Sequence, residues 1–548
     1  MRVRPPLTEN AEDQSPMTPG NAIPDRGRPM SRPLIWAATG LLALTLVRLW
    51  VAAILPLAPD EAYYWVWSRA LAPGYLDHPP MAALWIRAGT ALAGQTSLGV
   101  RLLGPLSAAL GTVLLYHAAQ RLFPGRHAGL TAAALLNATP ILGVGAVIMT
   151  PDTPLLLFWT ATLWAGAHLA SGGSTRWWLM AGFTAGLALS SKYTAAFLPL
   201  GLGLFALIAM PRSLRRPEIY IGGLIALALF LPVIAWNAQN DWAGFLKQGG
   251  RVSHWRPERA VTFLSELVLG QIGLASPGVF VLFAAGIGLA IRITVRSRDR
   301  VWTLLAAFTV PPALLFLEHA IGDRVQGNWP AILYPAAAIA AAGLTAPRWR
   351  RLTGPSAALG FAIVVLIYAH GVSAWPSFAD LVNPVARQLR GWDALAARAE
   401  TARLTANATI LIAEPYGLAA ELAWSSPPGV RVLAAGDHWI RTTLPRAALG
   451  EGTVLLIRPE RHGEQPDPSA WRDAVPAGTL ARTAAGGAIE RYSLFLVRAV
   501  RPDDTAAALP RRRAGLDQAT FVARFAMSWQ RSSLRFALAI ASSTMRRS

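Results

Sequence analysis

Long apolar segments dominate this 548-residue chain and restrict it to folds that span a membrane. Residues 34–57 contain a single charged residue, Arg48, and about 18 residues with few or no charges suffice for a spanning helix. The mean hydropathy of +0.37 is too high for an ordinary soluble protein. We therefore predict a polytopic α-helical membrane protein with about eleven spans. The further apolar segments lie near residues 98–118, 128–149, 153–170, 177–190, 193–210, 219–236, 267–291, 301–317, 330–346 and 356–375.

The distribution of charge predicts how these spans are oriented. A net charge of +20 would suggest nucleic-acid binding in a soluble protein, but here the arginines cluster in short segments between apolar runs. Retention of those segments in the cytoplasm explains the clusters without a nucleic-acid partner. With a cytoplasmic N-terminus, most polar candidate residues fall on the opposite face. We therefore expect a bacterial-type inner-membrane protein with an active site facing the periplasm.

Composition divides the chain into four predicted regions. Residues 1–33 are polar, basic and rich in proline, which predicts a disordered cytoplasmic N-terminus; Met30 is an alternative start to Met1. Residues 34–376 form the predicted membrane domain. Residues 377–505 predict a small α/β periplasmic domain, and residues 506–548 a basic tail. The strands of that domain are expected at 408–413, 430–434, 453–457 and 492–498, with a helix near 416–424.

Two adjacent carboxylates follow the first apolar segment. Asp60 and Glu61 precede an aromatic run, and the same loop continues to Asp77 and His78, which two prolines hold in a turn. In an alternative interpretation, Asp60 only caps an interfacial helix and the aromatic residues form a membrane-interface belt. Capping accounts for one acid and leaves Glu61, Asp77 and His78 unexplained.

Two further charged residues border apolar segments. Asp152 lies between Pro151 and Pro154, and an acid at membrane depth is a functional candidate by default. A role as the N-cap of the next span is the alternative. Lys192 opens a later apolar run and, as a compact ammonium, could bind a phosphate; the alternative is snorkelling to the interface.

A basic loop departs from the positive-inside pattern. Residues 237–266 carry Arg251, His254 and Arg256 on the predicted outer face. Binding of an anionic head group would explain these charges, and a solvated surface is the alternative. The chain has no cysteine, so disulfides and thiolate metal sites are excluded.

The order of these motifs resembles the GT-C membrane glycosyltransferases of glycosyltransferase family 39. This is the protein O-mannosyltransferase class, and aminoarabinose transferases acting on lipid A are related to it. Those proteins carry an acidic pair after the first span, a His-Pro-Pro or Lys-Pro-Pro turn in the same loop, and an acid after the third span. Asp60-Glu61, His78-Pro79-Pro80 and Asp152 match that order, and Lys192 resembles a lysine of the aminoarabinose transferases.

The resemblance implies a GT-C fold and a polyprenyl-phosphate sugar donor. The acceptor would be an envelope lipid, glycan or protein, at the membrane surface outside the cytoplasm. Asp60, Glu61 and Asp152 are then the expected catalytic residues, with Asp60 as general base of an inverting displacement. Cofactors are not certain, although a divalent cation could bind Asp60 and Asp152. The expected substrate-binding residues are Asp77, His78, Lys192, Arg251, His254 and Arg256.

Two rival functions use similar residues. A polyprenyl-linked lipid or sugar transporter would also need intramembrane charges, but it should show internal repeats and charges near the midplane. A polymerase or ligase acting on lipid-linked oligosaccharide would concentrate its acids and arginines in one late outer loop. The richest loop here is the first, which favours transfer of a single sugar.

Overall fold

A computed structural model describes residues 32–250, 255–372, 388–450, 452–462, 465–484, 487–500 and 504–512. Residues up to 372 form a helix bundle. Its helices are α1 (Arg32–Ile54), α2 (Pro59–Arg69), α3 (Met81–Ala93), α4 (Ser97–Arg101), α5 (Leu103–Leu122), α6 (Ala128–Asn137), α7 (Pro140–Gly145), α8 (Asp152–Ala170), α9 (Trp177–Leu189), α10 (Phe197–Ala209), α11 (Pro217–Gln239), α12 (Ala243–Gly249), α13 (Ala260–Ala275), α14 (Pro277–Ser297), α15 (Arg300–Gly322), α16 (Tyr334–Ala342) and α17 (Pro347–Val372).

Six helical stretches of the described chain are long and apolar enough to cross a membrane: α1, α4 with α5, α11, α14, α15 and α17. The predicted total of eleven spans is therefore not confirmed, although a membrane-spanning helical architecture is. The run at 267–291 is two helices, because the chain turns at Ser276 with φ of 70° before Pro277. The run at 128–149 is likewise divided into α6 and α7, because Pro140 restarts the helix. Hydropathy detects apolar composition but not such interruptions.

Small residues let the bundle helices approach closely. A Cβ at Gly182 of α9 would lie 2.0 Å from the carbonyl oxygen of Gly222 in α11. A Cβ at Gly286 of α14 would lie 2.6 Å from the backbone nitrogen of Ala341. Close packing of this kind joins helices in lipid, where the hydrophobic effect does not. Large residues on the outer surface of α11 remain exposed, including Leu224 at 64%, as expected for a lipid-facing helix.

Residues after 388 form an α/β domain around a seven-stranded sheet of order β3-β7-β2-β1-β4-β6-β5. Strand β1 pairs in parallel with β2 and β4, and the other pairings are antiparallel. The strands are β1 (Ile410–Ala413), β2 (Val432–Ala434), β3 (Arg446–Ala448), β4 (Val454–Pro459), β5 (Trp471–Ala484), β6 (Gly487–Ala499) and β7 (Thr505–Ala508), and the longer helices are α18 (Trp392–Thr405) and α19 (Tyr416–Ser425).

The sequence prediction located four of the seven strands and α19. It missed β3 and β7, which are short and mostly alanine, a residue with low strand propensity. It also missed β5, which contains Pro476 and Gly478. The predicted boundary after residue 505 falls inside β7, and the boundary at 376–377 lies outside the described residues.

The α/β domain packs directly on the membrane part through α2. The rings of Trp65 in α2 and Trp424 in α19 contact edge to face with centroids 5.0 Å apart. Both residues belong to one hydrophobic core that also contains Leu411 and Leu455 of the sheet. The loop that follows the first span is therefore held between the bundle and the α/β domain.

Candidate active site

Carboxylates from three separate segments meet at one end of the bundle. The phenol of Tyr64, buried in α2, lies within electrostatic reach of Asp60, Asp77 and Asp152. Asp60 follows the end of α1, Asp77 precedes α3, and Asp152 is the first residue of α8. Three acids that are distant in sequence therefore lie close together. At the opposite end, the guanidinium of Arg126 donates to the carbonyl of Gly343. Acids and arginine-rich turns therefore occupy different ends, as the sequence pattern predicts.

Asp60 lies in the first turn of α2 with its side chain in a cleft against the α/β domain. The N-cap position is occupied by Ala58, so the alternative that Asp60 caps this helix is wrong. The hydroxyl of Tyr416 in α19 donates to Asp60 Oδ1 at 3.1 Å. Asp60 is exposed to this cleft, but the protein packed around it raises its pKa, first by desolvation and then by the negative charges of Asp77 and Glu61, while the Tyr416 hydrogen bond opposes this. A carboxylate with a raised pKa is a stronger base.

Glu61, the neighbour of Asp60, points in another direction and is fully buried. Arg101 of α4 forms a bidentate ion pair with it, at 2.5 and 2.7 Å. Glu61 also accepts hydrogen bonds from the backbone nitrogens of Ala58 and Met149, at 3.0 and 2.9 Å. With its oxygens engaged and no exposed surface, Glu61 cannot touch a substrate in this arrangement. This corrects the expected catalytic role of Glu61 to one of positioning the loop that carries Asp60.

Asp152 and Lys192 form a compact charged cluster. The Lys192 ammonium donates to both oxygens of Asp152, at 2.7 and 2.9 Å. The Asn328 amide adds a bond to Asp152 Oδ2 at 2.6 Å. Asp152 is in the first turn of α8, but Pro151 occupies the N-cap and the carboxylate makes no capping bond, so the capping alternative is wrong. The Lys192 and Asp152 side chains are 9% and 14% exposed, so the snorkelling alternative for Lys192 is also wrong.

Asp77 is the centre of a second cluster that includes the α/β domain. It accepts from the Tyr63 hydroxyl at 3.0 Å and pairs with Lys247 at 2.7 Å. The Lys247 ammonium also lies 2.8 Å from Nε2 of His438. Burial alone would raise the pKa of Asp77, but the Lys247 hydrogen bond and charge lower it overall. Burial lowers the pKa of His438 although Asp77 opposes it, so a neutral imidazole can accept from Lys247.

The remaining predicted binding residues have mixed placements. His78 is half-buried, with its ring 6.3 Å from that of Tyr64, and its carbonyl accepts from the nitrogen of Tyr75 at 3.1 Å. Arg256 is exposed, and its backbone nitrogen donates to Gly322. Arg251 and His254 lie outside the described residues.

The geometry does not add support for a cation between Asp60 and Asp152. Across the described part of the chain, no three His, Asp or Glu side chains are grouped as a metal would require. Asp152 is already balanced by Lys192, and Asp60 accepts from Tyr416. Binding of a cation by this pair therefore remains a prediction.

Sequence reasoning missed several residues of this site. Tyr63 and Tyr64 were considered only as members of an aromatic belt, in the alternative interpretation of this loop, whereas Tyr63 donates to Asp77 and Tyr64 lies within electrostatic reach of three acids. Lys247, one of the two lysines in the chain, was noted only as a charge of the basic loop 237–266 and not as a partner of Asp77. Asn328 had a weak signal, as part of a polar cluster in a later loop, whereas Tyr416 and His438 had none, because they reach the site only through tertiary contacts.

Comparison with known proteins agrees with this architecture. The family described as dolichyl-phosphate-mannose-protein mannosyltransferase matches residues 77–236. The chain is 31% identical over 294 residues to the lipid A galacturonosyltransferase RgtD of Rhizobium johnstonii, covering 53% of this chain and 61% of RgtD. It is 28% identical over 221 residues to an undecaprenyl phosphate-alpha-4-amino-4-deoxy-L-arabinose arabinosyl transferase of Pseudomonas fluorescens, covering 35% of this chain and 39% of that protein.

A solved structure extends the likeness beyond the matched sequence. The crystal structure of ArnT from Cupriavidus metallidurans in the apo state superposes with a TM-score of 0.56 and 15% identity, covering 85% of this chain and 98% of ArnT. This chain has the fold of ArnT. The resemblance to GT-C membrane glycosyltransferases, predicted from the motifs, is thereby confirmed. The alignment with RgtD spans less than two thirds of that relative's length.

The ArnT-like fold includes the C-terminal α/β domain, since most of both chains is matched. A second ArnT structure, bound to undecaprenyl phosphate, superposes with a TM-score of 0.54 over 84% of this chain and 97% of that one. At 15% identity the likeness shows the fold and carries no residue roles.

Proposed function

We propose that this protein is an integral-membrane glycosyltransferase that moves a sugar from a polyprenyl-phosphate donor to lipid A, at the periplasmic face of the inner membrane. The observation that carries the proposal is the Asp60 carboxylate, which has a raised pKa and faces a cleft at one end of the bundle. The Asp152–Lys192 and Asp77–Lys247 pairs, which we call the lysine clusters, lie at the same end. The activities named for RgtD and the arabinosyl transferase support the lipid A acceptor. The ArnT structure with undecaprenyl phosphate supports the donor class.

The proposed reaction is an in-line displacement. Asp60 accepts the proton of an acceptor hydroxyl while that oxygen attacks the anomeric carbon of the donor sugar. The bond from the anomeric carbon to the phosphate oxygen breaks, and polyprenyl phosphate leaves with the electron pair. Phosphate is a good leaving group, so cations near its oxygens suffice to stabilise the developing charge. Lys192, which pairs with Asp152, and Lys247, which pairs with Asp77, would supply these cations.

We infer that the transferred sugar is a uronic acid. RgtD, a galacturonosyltransferase, matches a larger share of this chain than the arabinosyl transferase does, at higher identity. The transporter alternative is disfavoured because the paired charges lie where α1 and α9 end and α8 begins, not near the middle of the spans.

Mass spectrometry of envelope lipids tests the proposal. Cells with the gene deleted should lose one uronic acid from lipid A and accumulate the donor lipid, and the wild-type gene should restore the sugar. Asp60→Asn should fail to restore it, with turnover lowered by about a hundredfold or more because the general base is lost. Asp467→Asn, which removes an exposed carboxylate of the α/β domain, is the matched control. Unchanged lipid A in the deletion strain would refute the function, and full rescue by Asp60→Asn would remove Asp60 from the mechanism.

A further inference from the structure

A cleft of ≈ 740 Å³ opens between α2 and the α/β domain. Pro59 and Asp60 form its wall on the membrane part, whereas Trp392, Tyr416 and Arg461 belong to the α/β domain. Its volume lies within the range of ligand pockets, roughly 300–1,000 Å³. Asp60 thus faces a space large enough for a sugar-sized or larger ligand. We call this space the domain cleft.

One wall of the domain cleft is held rigidly around Arg482. This side chain is 5% exposed and its guanidinium lies 4.0 Å from the ring centroid of Trp392. It donates to the Tyr492 hydroxyl at 3.2 Å and to the carbonyl of Arg390 at 2.8 Å. An arginine fixed by so many bonds serves to orient its neighbours. Trp392 and Tyr492 are themselves buried, so they form a fixed base beneath the cleft, and the half-buried Tyr416 is the lining aromatic residue that a ligand can reach.

The mouth of the domain cleft carries an arginine that can change partners. Arg461 is 69% exposed and pairs with Glu490 at 3.0 Å. An exposed ion pair contributes little to stability, so exchanging one partner for a ligand costs little. The guanidinium donors of Arg461 and the carboxylate of Glu490, together with the half-buried Tyr416, match the hydroxyl-rich, partly apolar surface of a saccharide. A guanidinium also binds carboxylate or phosphate substituents in a bidentate manner.

The domain cleft is distinct from the lysine clusters. Its lining includes Asp60 but neither Asp152, Asp77, Lys192 nor Lys247. Asp60 therefore lines the domain cleft and also lies near Asp77 and Asp152. A base in that position can accept a proton from an acceptor hydroxyl in the domain cleft, while the donor sugar lies on the side of the lysine clusters.

We propose that the domain cleft binds the saccharide part of the acceptor and delivers its hydroxyl to Asp60, with Arg461 and Ile489, which both line the cleft, setting acceptor affinity. This inference rests on the proposed function, since it assigns one of its two substrates to a surface. The acceptor would then approach along the α/β domain, and the donor phosphate would bind toward the lysine clusters.

Steady-state kinetics of the full-length protein in detergent, with purified lipid A and a polyprenyl-phosphate uronic acid donor, test the inference. Arg461→Ala should raise the acceptor KM about tenfold, the effect of losing a charged hydrogen bond. Donor KM and kcat should change less than twofold. Ile489→Trp, which narrows the cleft beside Glu490, should also raise acceptor KM. Arg498→Ala removes an exposed arginine of β6 outside the cleft and should leave both constants unchanged.

The outcomes separate the inference from the proposed function. Absence of transfer by the wild-type protein to lipid A would overturn the function itself. Wild-type transfer with unchanged acceptor KM in both Arg461→Ala and Ile489→Trp would overturn only the acceptor cleft. A rise in donor KM instead would assign the cleft to the donor and contradict the inference. Melting temperatures show that each variant is folded, and they are expected within about 2 °C of wild type because Arg461 is exposed and Ile489 is only partly buried.

Discussion

The Tyr416 hydroxyl donates a hydrogen bond of 3.1 Å to Oδ1 of Asp60, across 356 positions of sequence. The two residues belong to different parts of the protein, the α/β domain and the loop after the first span. The α/β domain therefore contributes directly to the environment of the proposed base. The protonation of Asp60 should depend on residues from both parts.

Replacement of Tyr416 by phenylalanine should make Asp60 harder to ionise. The hydrogen bond favours the charged carboxylate and lowers its pKa, so its loss raises a pKa that burial has already raised. The base is active only when deprotonated, so activity lost on acidification should be lost at a higher pH than in the wild type. A pH profile of kcat/KM measures this shift. Tyr220→Phe, at an exposed tyrosine of α11, is the control; identical profiles for wild type and Tyr416→Phe would contradict the prediction.

Neutralising Asp77 should shift the same profile in the opposite direction. The negative charge of Asp77 raises the pKa of Asp60, so Asp77→Asn should lower it and extend activity to lower pH. The variant should also weaken the hold on Lys247, which pairs with Asp77 at 2.7 Å. The acid limb of kcat/KM again provides the measurement. A shift toward higher pH would show that Asp77 does not act on Asp60 through its charge.

Lys192→Ala should destabilise the protein and weaken donor binding. It leaves Asp152 with a 14% exposed side chain and no lysine, and breaking a buried pair costs on the order of 3 kcal/mol. Lys192→Ala with Asp152→Asn should recover much of the melting temperature, because the unpaired charge is gone. Donor KM should stay high in both variants if Lys192 binds phosphate. Recovery of donor KM together with stability would leave Lys192 a purely structural role.

The Glu61–Arg101 pair should matter for folding more than for chemistry. Both side chains are fully buried, so Arg101→Ala would leave Glu61 as an uncompensated charge at a cost of about 3–5 kcal/mol. Loss of folded protein in detergent should be evident by size-exclusion chromatography and thermal unfolding. Arg324→Ala removes a pair whose arginine is 58% exposed, so its effect on thermal unfolding should be much smaller than that of Arg101→Ala. Equal effects of the two variants would contradict the assignment of Glu61 to a positioning role.

Sequence alone determined the features that depend on local composition. Long apolar runs predicted a membrane-spanning helical architecture, because lipid offers backbone groups no hydrogen-bond partners, but they did not predict which runs form one uninterrupted helix. The order of Asp60-Glu61, His78-Pro79-Pro80 and Asp152 along the chain was enough to indicate the resemblance. Arginine placement separated the two ends of the bundle, since charge position along a chain is itself a sequence property.

Tertiary structure decided what each acid does. Asp60 and Glu61 are adjacent, but successive side chains of a helix point about 100° apart, so one faces the domain cleft and the other faces Arg101. The packing of α4 brings Arg101 to Glu61, and the packing of α19 brings Tyr416 and the cleft to Asp60, so tertiary structure decides which acid faces the cleft. The contributions of Asn328, Tyr416 and His438 came from contacts between distant segments, because local sequence does not encode which surfaces meet.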